Sequence, residues 1–219
     1  MSRSNLEHPC FARLYSRVGR WLDLHGGSRH RRRLLAPLTG RIIEVGAGSG
    51  LNFAYYPPTV TRVLAVEPES RLRSEARRAA ASAPVAVDVV GGRAEQLPVR
   101  SDVFDGAVLS LVLCSIADRQ SALAELRRVI RPGGLVRFYE HVRSPSPVVG
   151  RIQDVITPVW SQFAGGCQLN RDAAAALRAA GFSITDVDQF TFAGVTHVLG
   201  TAHTESPAAT ETTSMPPPV

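Results

Sequence analysis

The stretch "IIEVGAGSGLNF", residues 42–53, passes from an apolar segment to a carboxylate, Glu44, and then to three glycines at alternate positions. Glycine has no Cβ, so Gly46, Gly48 and Gly50 permit left-handed backbone angles and the close approach of a bound molecule. An apolar strand, a glycine-rich turn and the start of a helix, in this order, predict a ligand site, because the first amides of the helix face the same crevice.

Five short segments of the chain are apolar at nearly every position and rich in β-branched residues. Strands that are buried on both faces of a parallel sheet have this composition. Helical patterns lie between several of these segments, as crossover connections require. The predicted strands lie within residues 41–45, 62–66, 84–90, 104–113 and 133–142, and the predicted helices within residues 10–24, 69–81, 119–130 and 171–181.

The last part of the chain breaks this alternation. Residues 182–192 and 195–202 both have strand composition, and only Ala193 and Gly194 separate them. Two strands joined by so short a turn form an antiparallel hairpin. The sequence therefore predicts an α/β fold with a doubly wound sheet of seven strands, an antiparallel C-terminal hairpin, and a ligand crevice at the carboxyl ends of the parallel strands.

The composition is that of a globular protein, with 44% apolar and 20% charged residues, which is enough apolar material for a core. No apolar run reaches the roughly 18 residues that span a bilayer, and the N-terminus lacks a secretory pattern, so we expect a cytoplasmic location. The net charge of +6 is scattered except in residues 28–35, "SRHRRRLL", and predicts no nucleic-acid partner. Cys10, Cys114 and Cys167 are far apart with no CxxC pair, so we predict neither a disulfide framework nor a metal site.

Glu44 helps to separate two ligands that use similar glycine loops. A dinucleotide would bring its pyrophosphate close to this carboxylate, and the like charges would repel. S-adenosylmethionine instead carries an ammonium and a sulfonium group, which Glu44 would attract. The alternative interpretation, equally open from the sequence, is that Glu44 accepts backbone amide hydrogen bonds.

Other positions fit the same ligand. Glu67 and the adjoining Pro68 end the second strand roughly twenty residues after the first glycine, where a carboxylate can accept both ribose hydroxyls. Ala94 and Glu95 follow the third strand, where an adenine would lie. At the end of the fourth strand, residues 110–111 (Ser110 and Leu111) would form the floor under the reactive sulfonium.

These motifs resemble those of the class I S-adenosylmethionine-dependent methyltransferases. The resemblance covers about residues 40–142 and implies S-adenosylmethionine as the cofactor. It rests on "EVGAGSG" at 44–50, "VEP" at 66–68, "RAEQLP" at 93–98, "FD" at 104–105 and "LRRVIRPGG" at 126–134.

A second resemblance runs from about residue 42 to 202. It is to methyltransferase-like proteins that, in animals, methylate alkyl thiols at endoplasmic reticulum and lipid-droplet membranes. We expect the chain to differ from those members in having no hydrophobic N-terminal anchor. The likeness rests on "LNFAYYPP" at 51–58, "LVLCSI" at 111–116, "FYEHV" at 138–142, "TPVWSQFAGGCQLNR" at 157–171 and "THVLGTA" at 196–202.

The reacting groups are less strongly indicated. His141 ends the fifth strand on the ligand side and is the candidate base, with Glu140 as its orienting partner, or else it is a histidine hydrogen-bonded beneath a loop. Asn52 either caps the following helix or turns toward the methionine part of the cofactor. Cys167 is placed in a loop that lines the substrate pocket, whereas Cys114 is expected to be a small buried core residue.

Two interpretations of the N-terminal segment remain open. As a lid, the face formed by Phe11, Tyr15, Val18 and Trp21 would close over cofactor and substrate and exclude water. As a surface helix, its apolar stripe and neighbouring arginines would rest on anionic lipid. We predict the lid and divide the chain into a helical lid segment (1–36), an S-adenosylmethionine-binding domain (37–202) and a disordered tail (203–219).

The sequence thus predicts a methyltransferase that acts on a small, lipophilic acceptor, with a thiol first, then a phenol or quinone-type carbon, then a phospholipid amine. A thiol with a pKa near 8.5 is partly ionised and needs no strong base. Two other classes of protein remain as alternatives, a nicotinamide-dependent oxidoreductase and a non-catalytic cofactor-binding partner subunit.

Overall fold

The computed structural model describes residues 9–205, with side chains from residue 12 onward. Its seven strands form one sheet in the order β3-β2-β1-β4-β5-β7-β6, in which β7 runs antiparallel to both of its neighbours. The predicted α/β fold and C-terminal hairpin are confirmed. The strands are β1 (Gly40–Val45), β2 (Val60–Val66), β3 (Val87–Val90), β4 (Phe104–Ser110), β5 (Ile130–His141), β6 (Phe182–Phe192) and β7 (Val195–Thr204).

Six α-helices flank the sheet, and the sequence encodes several of their starts. The side chains of Glu69, Asp118 and Asp172 each accept a hydrogen bond from the amide three residues further on, at 2.6, 3.0 and 2.8 Å. This bond satisfies one of the amides that a helix leaves free at its first turn. The helices are α1 (Pro9–Leu22), α2 (Ser28–Leu35), α3 (Ser70–Ala80), α4 (Arg119–Val129), α5 (Pro147–Phe163) and α6 (Ala173–Ala179).

Helix α5 was not predicted. Its sequence, PVVGRIQDVITPVWSQF, is apolar on several sides and contains Pro158, which removes a helical hydrogen bond. One boundary also differs from the prediction, because strand β7 extends to Thr204, two residues into the segment predicted as a tail. Residues 206–219 of that segment lie outside the described part of the chain.

The core lies on both faces of the sheet. One cluster packs α4 and α6 against β4 and β5 and includes Phe104, Leu126 and Phe138. The other packs α2 and the loop after β1 against the opposite face and includes Leu34 and Phe53. Because β1, β2 and β4 pair in register, Val45 faces Val66 on one side and Leu109 on the other, so their carboxyl ends meet at one edge. The loops that follow these strands form the candidate site.

Candidate active site

The glycine loop turns sharply over the end of β1. The amide of Gly46 donates to the carbonyl of Val66 at 2.8 Å, so the loop reaches the end of the neighbouring strand β2. Gly46 has a φ of 70° and Gly48 a φ of 57°, both in the left-handed region. A Cβ on Gly46 would collide with the side chain of Val112 in the loop after β4. Glycine is therefore required here by backbone angle and by the packing of a neighbouring loop.

Glu67 is buried directly beneath this loop. One carboxylate oxygen accepts the Gly48 amide at 2.8 Å and the other accepts the Glu69 amide at 2.9 Å. Burial raises the pKa of Glu67, and these two amide bonds oppose the rise. Pro68 lies in the same turn, where its carbonyl accepts from Arg73 at 2.8 Å. Each carboxylate oxygen keeps a further lone pair, so the group can still accept hydroxyls from a ligand.

Glu44 is fully enclosed at the base of the same cleft. Its carboxylate accepts from Asn52 Nδ2 at 2.8 Å and from the hydroxyl of Tyr56 at 2.6 Å. Burial raises the pKa of Glu44 to about 7, and the two hydrogen bonds limit the rise. Its partners are thus side chains, not the backbone amides of the alternative interpretation. Asn52 makes no side-chain cap to the short 3-10 helix that follows it, Phe53–Tyr55.

Arg31, which the sequence did not single out, joins this network from helix α2. Its Nη1 donates to Asn52 Oδ1 at 2.7 Å, and its Nε bonds to Asp23 Oδ1 at 3.0 Å. In the basic run of residues 28–35, nothing in the sequence distinguishes Arg31 from its neighbours. In the structure the neighbouring arginines point away from the cleft: Arg33 pairs with Asp188, and Arg32 lies over the ring of Tyr55. The helical period places one arginine of this run in the cleft and leaves the others outside.

Tyr15 of helix α1 lies over the cleft. A Cβ on Gly48 would come within 3.3 Å of its ring. Burial raises the pKa of Tyr15 to about 12; Arg31 lowers it, whereas the charges of Glu67 and Glu140 raise it further. The cleft beneath is narrow, with a cavity volume of about 10 Å³, and is lined by Tyr15, Arg31, Glu44, Gly46, Ala47, Ser49, Leu51, Asn52 and Ser110.

Two hydroxyls in this cleft are buried without a partner. Within the described residues, the Oγ atoms of Ser49 and Ser110 have no hydrogen-bond partner. Such atoms are costly to bury unless a ligand or water satisfies them. The next residue, Leu111, has a φ of 57°, which is strained for a side chain of this size, and strain of this kind clusters at functional sites. The donors, acceptors and acids of the cleft fit a polar cationic ligand such as S-adenosylmethionine.

The predicted adenine positions lie one loop further along. Ala94 is partly buried against the core cluster of β4 and β5, and Glu95 pairs with Arg93 at 3.4 Å. The loop that carries them lies against the end of β2, since a Cβ on Gly92 would come within 2.9 Å of Val66. Ala94, Glu95 and Glu67 thus follow neighbouring strands at the same edge of the sheet.

The environment of His141 differs from the prediction. Glu140, its predicted orienting partner, accepts instead from the amides of Val112 and Leu113, both at 2.9 Å, and from Cys114 at 3.3 Å. Burial raises the pKa of Glu140 to about 7, and the three amide hydrogen bonds oppose this rise. Adjacent residues of a strand point to opposite faces, which separates the two side chains.

His141 instead faces two cysteines. Its Nδ1 lies 3.5 Å from Cys167 Sγ and 4.0 Å from Cys114 Sγ. The pKa of Cys167 is lowered, mainly by its hydrogen bond with the Cys114 thiol and also by its hydrogen bond with His141. The pKa of Cys114 is raised, mainly by the same bond between the two thiols. Cys167 lies in the loop after α5, as predicted, and Cys114 is a buried core residue, also as predicted, in a cluster that includes Cys167. The fold joins two cysteines that are 53 positions apart, which spacing alone could not show.

Helix α1 does not present the predicted face to the cleft. Its inward side is formed by Ala12, Tyr15, Ser16 and Gly19, whereas Leu14, Val18 and Trp21 are exposed to solvent. Among the described side chains of the predicted lid face, only Tyr15 reaches the site. The side chain of Phe11 lies outside the described residues. Small residues thus pack this helix against the domain, and the apolar stripe is left on the surface.

Comparison with known proteins agrees with this geometry. Residues 43–138 match a family model described as a methyltransferase domain. A thiol S-methyltransferase of Rattus norvegicus is 33% identical over 148 residues, which are 65% of this chain and 59% of that protein. A ubiquinone/menaquinone biosynthesis C-methyltransferase of Paracoccus denitrificans is 31% identical over 176 residues, 74% of this chain and 70% of that protein.

The comparison with solved structures shows the same fold. The crystal structure of an S-adenosylmethionine-dependent methyltransferase from Thermotoga maritima matches with a TM-score of 0.64 and 23% identity, over 87% of this chain and 97% of that one. The chain belongs to the class I S-adenosylmethionine-dependent methyltransferases, whose cofactor is S-adenosylmethionine. It spans about 59% of the length of the thiol methyltransferases that it matches. The roles given to individual site residues remain predictions.

Proposed function

We propose that this protein transfers the methyl group of S-adenosylmethionine to a small, lipophilic acceptor, with a thiol as the first candidate. The observation that carries the proposal is the buried carboxylate of Glu67 beneath the glycine loop, next to a cleft with two unpaired hydroxyls. Relatives named for thiols and for quinones support the first two acceptor classes. A phospholipid amine remains the third.

Each side of the cleft has a proposed task. Glu67 would accept the ribose hydroxyls, and Arg31 would bind the carboxylate of the cofactor's methionine part, because a guanidinium forms short, directed bonds to carboxylates. Glu44 and Asn52 would bind the ammonium, and Ser110 with Leu111 would contact the sulfonium end. The bound cofactor supplies a methyl group already activated by positively charged sulfur, so the protein has to align the acceptor and exclude water.

The acceptor's proton has a candidate route. Cys167, Cys114 and His141 lie together at the carboxyl end of β5, and His141 is half-buried, so one side of its ring is accessible. A neutral imidazole can take a proton from a thiol. We therefore retain His141 as the candidate base, with Cys167 as the neighbour that lines the acceptor pocket.

The test of the cofactor site is calorimetric titration with S-adenosylhomocysteine and, separately, NADH. Wild-type protein is expected to bind S-adenosylhomocysteine with a micromolar dissociation constant, and Glu67→Ala to bind it at least about tenfold more weakly, because two ribose bonds to a charged acceptor are lost. Asp88→Ala is the matched control, since Asp88 is an exposed acid paired with Arg62 on the neighbouring strand. Tighter binding of NADH than of S-adenosylhomocysteine would contradict the cofactor site proposed for this cleft.

The acceptor is tested by supplying labelled cofactor with alkyl thiols, phenols, demethylated quinones and phosphatidylethanolamine. Methylation of an alkyl thiol at the highest kcat/KM would support the leading acceptor class. Cofactor binding with no acceptor methylated, together with a stable complex with another chain, would identify a non-catalytic partner subunit.

We also propose that the protein contacts anionic membrane surfaces peripherally. Helix α5 exposes a broad apolar face, with Val155 77% and Phe163 72% accessible, and the stripe of α1 is exposed as well. Arginines at 13, 17, 20 and 151 are exposed on the same two helices, and they would attract anionic headgroups. Within the described residues, no helix combines the length and apolarity needed to cross a bilayer.

Flotation with vesicles tests this contact. Wild-type protein is expected to float with vesicles of 30% phosphatidylserine, taken as roughly the anionic content that gives a surface potential of tens of millivolts. Val155→Asp with Phe163→Asp should abolish flotation without lowering the melting temperature, because both side chains are exposed. Asp186→Asn, on strand β6, serves as a control. Equal flotation of the double variant would exclude α5 as the contact.

A further inference from the structure

The cluster of Cys114, His141 and Cys167 has the dimensions of a metal site. One donor atom from each residue lies within 4.8 Å of the other two, and His141 Nδ1 is 3.5 and 4.0 Å from the two sulfurs. With Zn–S bonds of about 2.3 Å and Zn–N bonds of about 2.0 Å, tetrahedral geometry separates S from N by about 3.6 Å and S from S by about 3.8 Å. A zinc ion therefore fits with small side-chain shifts.

The backbone around the cluster is held in place by hydrogen bonds. The amide of Gln168 donates to the carbonyl of Cys114 at 3.0 Å, which joins the two loops that carry the cysteines. Arg171 Nη1 donates to the carbonyls of Leu113 and Cys114 at 3.1 and 3.0 Å. Surroundings that fix the ligands in this way raise metal affinity, because less order has to be gained on binding.

The donor set indicates which metal would bind. Two thiolates and one imidazole are a soft set that suits zinc and does not suit magnesium or calcium. Sites with three protein ligands leave a fourth position open for water or substrate, and a thiol that binds there is deprotonated. The half-buried His141 leaves one side of the cluster accessible, whereas both cysteines are buried.

The cluster also lies next to the cofactor cleft. Cys114 is two residues after Val112, whose side chain would collide with a Cβ on Gly46 of the glycine loop. Glu140 binds the amides of Val112 and Cys114 together. An acceptor held at the cluster is therefore at the same edge of the sheet as the proposed methyl donor.

We propose that Cys114, His141 and Cys167 bind one zinc ion with an open coordination position, and that the acceptor's thiol occupies this position as a thiolate. The second part rests on the proposed methyltransferase function. The acceptor thiol releases its proton to solvent as its sulfur binds, so with zinc present His141 acts as a metal ligand and not as the base. That sulfur then forms a bond to the methyl carbon, while the carbon–sulfur bond of the cofactor breaks and its electron pair stays on the cofactor as S-adenosylhomocysteine. The neutral thioether product is a weaker ligand and dissociates.

The test uses the full chain, reduced and stripped of metal with a chelator, and titrated with Co²⁺ as a spectroscopic substitute for Zn²⁺. Wild-type protein is expected to bind about one equivalent with a thiolate-to-cobalt charge-transfer band, and Zn²⁺ should abolish the band by displacement. Cys114→Ser, Cys167→Ser and His141→Asn should each weaken Co²⁺ binding at least about tenfold. Cys10→Ser, which changes the third cysteine, should behave as wild type.

The second part is tested on the cobalt-loaded protein. Octanethiol is expected to strengthen the charge-transfer band, and octanol, its oxygen analogue, to leave it unchanged. A band without any response to octanethiol would overturn thiol binding and leave a structural metal site. Absence of a band in wild type, or its retention in both serine variants, would overturn the metal site. In that case, loss of two free thiols on mild oxidation would show that the two cysteines form a disulfide.

Binding of S-adenosylhomocysteine is measured on the same samples. Serine variants that still bind it are folded, so their loss of cobalt is specific. A wild-type protein that binds cobalt and octanethiol but not S-adenosylhomocysteine would contradict the proposed function while leaving the metal site intact.

Discussion

At the scale of single residues, the glycine loop shows two separate requirements at one position. Gly46 needs both a left-handed φ of 70° and space next to Val112. Gly133 has nearly the same φ, 74°, but nothing lies within 4 Å of its missing Cβ. A side chain at Gly133 therefore introduces backbone strain alone, whereas a side chain at Gly46 introduces both strain and a steric collision.

We expect Gly46→Ala to destabilise the protein by about 2–4 kcal/mol, because strain and overpacking add, and to lower the affinity for S-adenosylhomocysteine at least about tenfold. In Gly133→Ala only the backbone strain applies, so we expect the free energy of unfolding to fall by about 1 kcal/mol and the affinity for S-adenosylhomocysteine to stay unchanged. Urea unfolding and calorimetry measure both quantities. Equal losses in the two variants would show that the neighbouring loop is not the constraint at Gly46.

The buried acid Glu44 predicts a pH dependence of stability. Its pKa is raised by burial from 4.5 to about 7, so the folded protein holds this proton more tightly than the unfolded chain. The stabilisation is complete below about pH 4.5 and is lost as the pH rises through 7, amounting to about 3 kcal/mol.

Denaturant unfolding between pH 4.5 and pH 8 measures this effect. Glu44→Gln keeps a neutral side chain of the same shape, so its unfolding free energy should fall less steeply with pH than that of wild type. Glu75→Gln, an acid near the exposed Arg20, should keep the wild-type slope. An unchanged slope in Glu44→Gln would mean that the carboxyl is ionised throughout this range.

At the scale of elements, helix α1 contributes one large side chain to the cleft and leaves its apolar stripe outside. The helix therefore covers the glycine loop through Tyr15, with Ala12 and Ser16 packed beside it. A cover that lies within van der Waals contact of Gly48 must move for a ligand to enter.

We expect Tyr15→Ala to increase the association rate of S-adenosylhomocysteine and to increase its dissociation rate more, because the cover is lost in the bound state as well. Stopped-flow fluorescence measures both rates. Leu14→Ala changes the neighbouring exposed residue and should alter neither rate. If Tyr15→Ala binds with wild-type rates, the helix does not limit access to the cleft.

At the scale of the whole molecule, Arg137 joins the N-terminal helices to the sheet. This buried side chain extends from β5 and donates to the carbonyls of Leu34 at 2.9 Å and Arg33 at 3.1 Å, and to Thr201 of β7. Burial lowers its pKa. One residue thus satisfies the last carbonyls of α2, which a helix end otherwise leaves free.

Arg137→Met is expected to destabilise the protein by about 3 kcal/mol, since it leaves buried carbonyls without donors. Hydrogen exchange should increase throughout residues 12–35 before it increases in β4. Arg62→Met removes an exposed ion pair with Asp88 and should have little effect. Uniform acceleration of exchange across the sheet and the helices would show that the two parts open as one unit.

The sequence by itself determined the order of the strands and of four helices, the hairpin and the glycine loop, because these depend on local patterns: apolar runs, helical periodicity and a two-residue turn. It also placed Glu67 at the site, since a strand end fixes the next side chain. Tertiary structure alone decided that Arg31 enters the cleft, that α1 leaves its stripe exposed and that Glu140 binds the loop after β4. Cys114 and Cys167 meet at His141 for the same reason: contacts between distant segments depend on how the elements pack, and no local pattern encodes that.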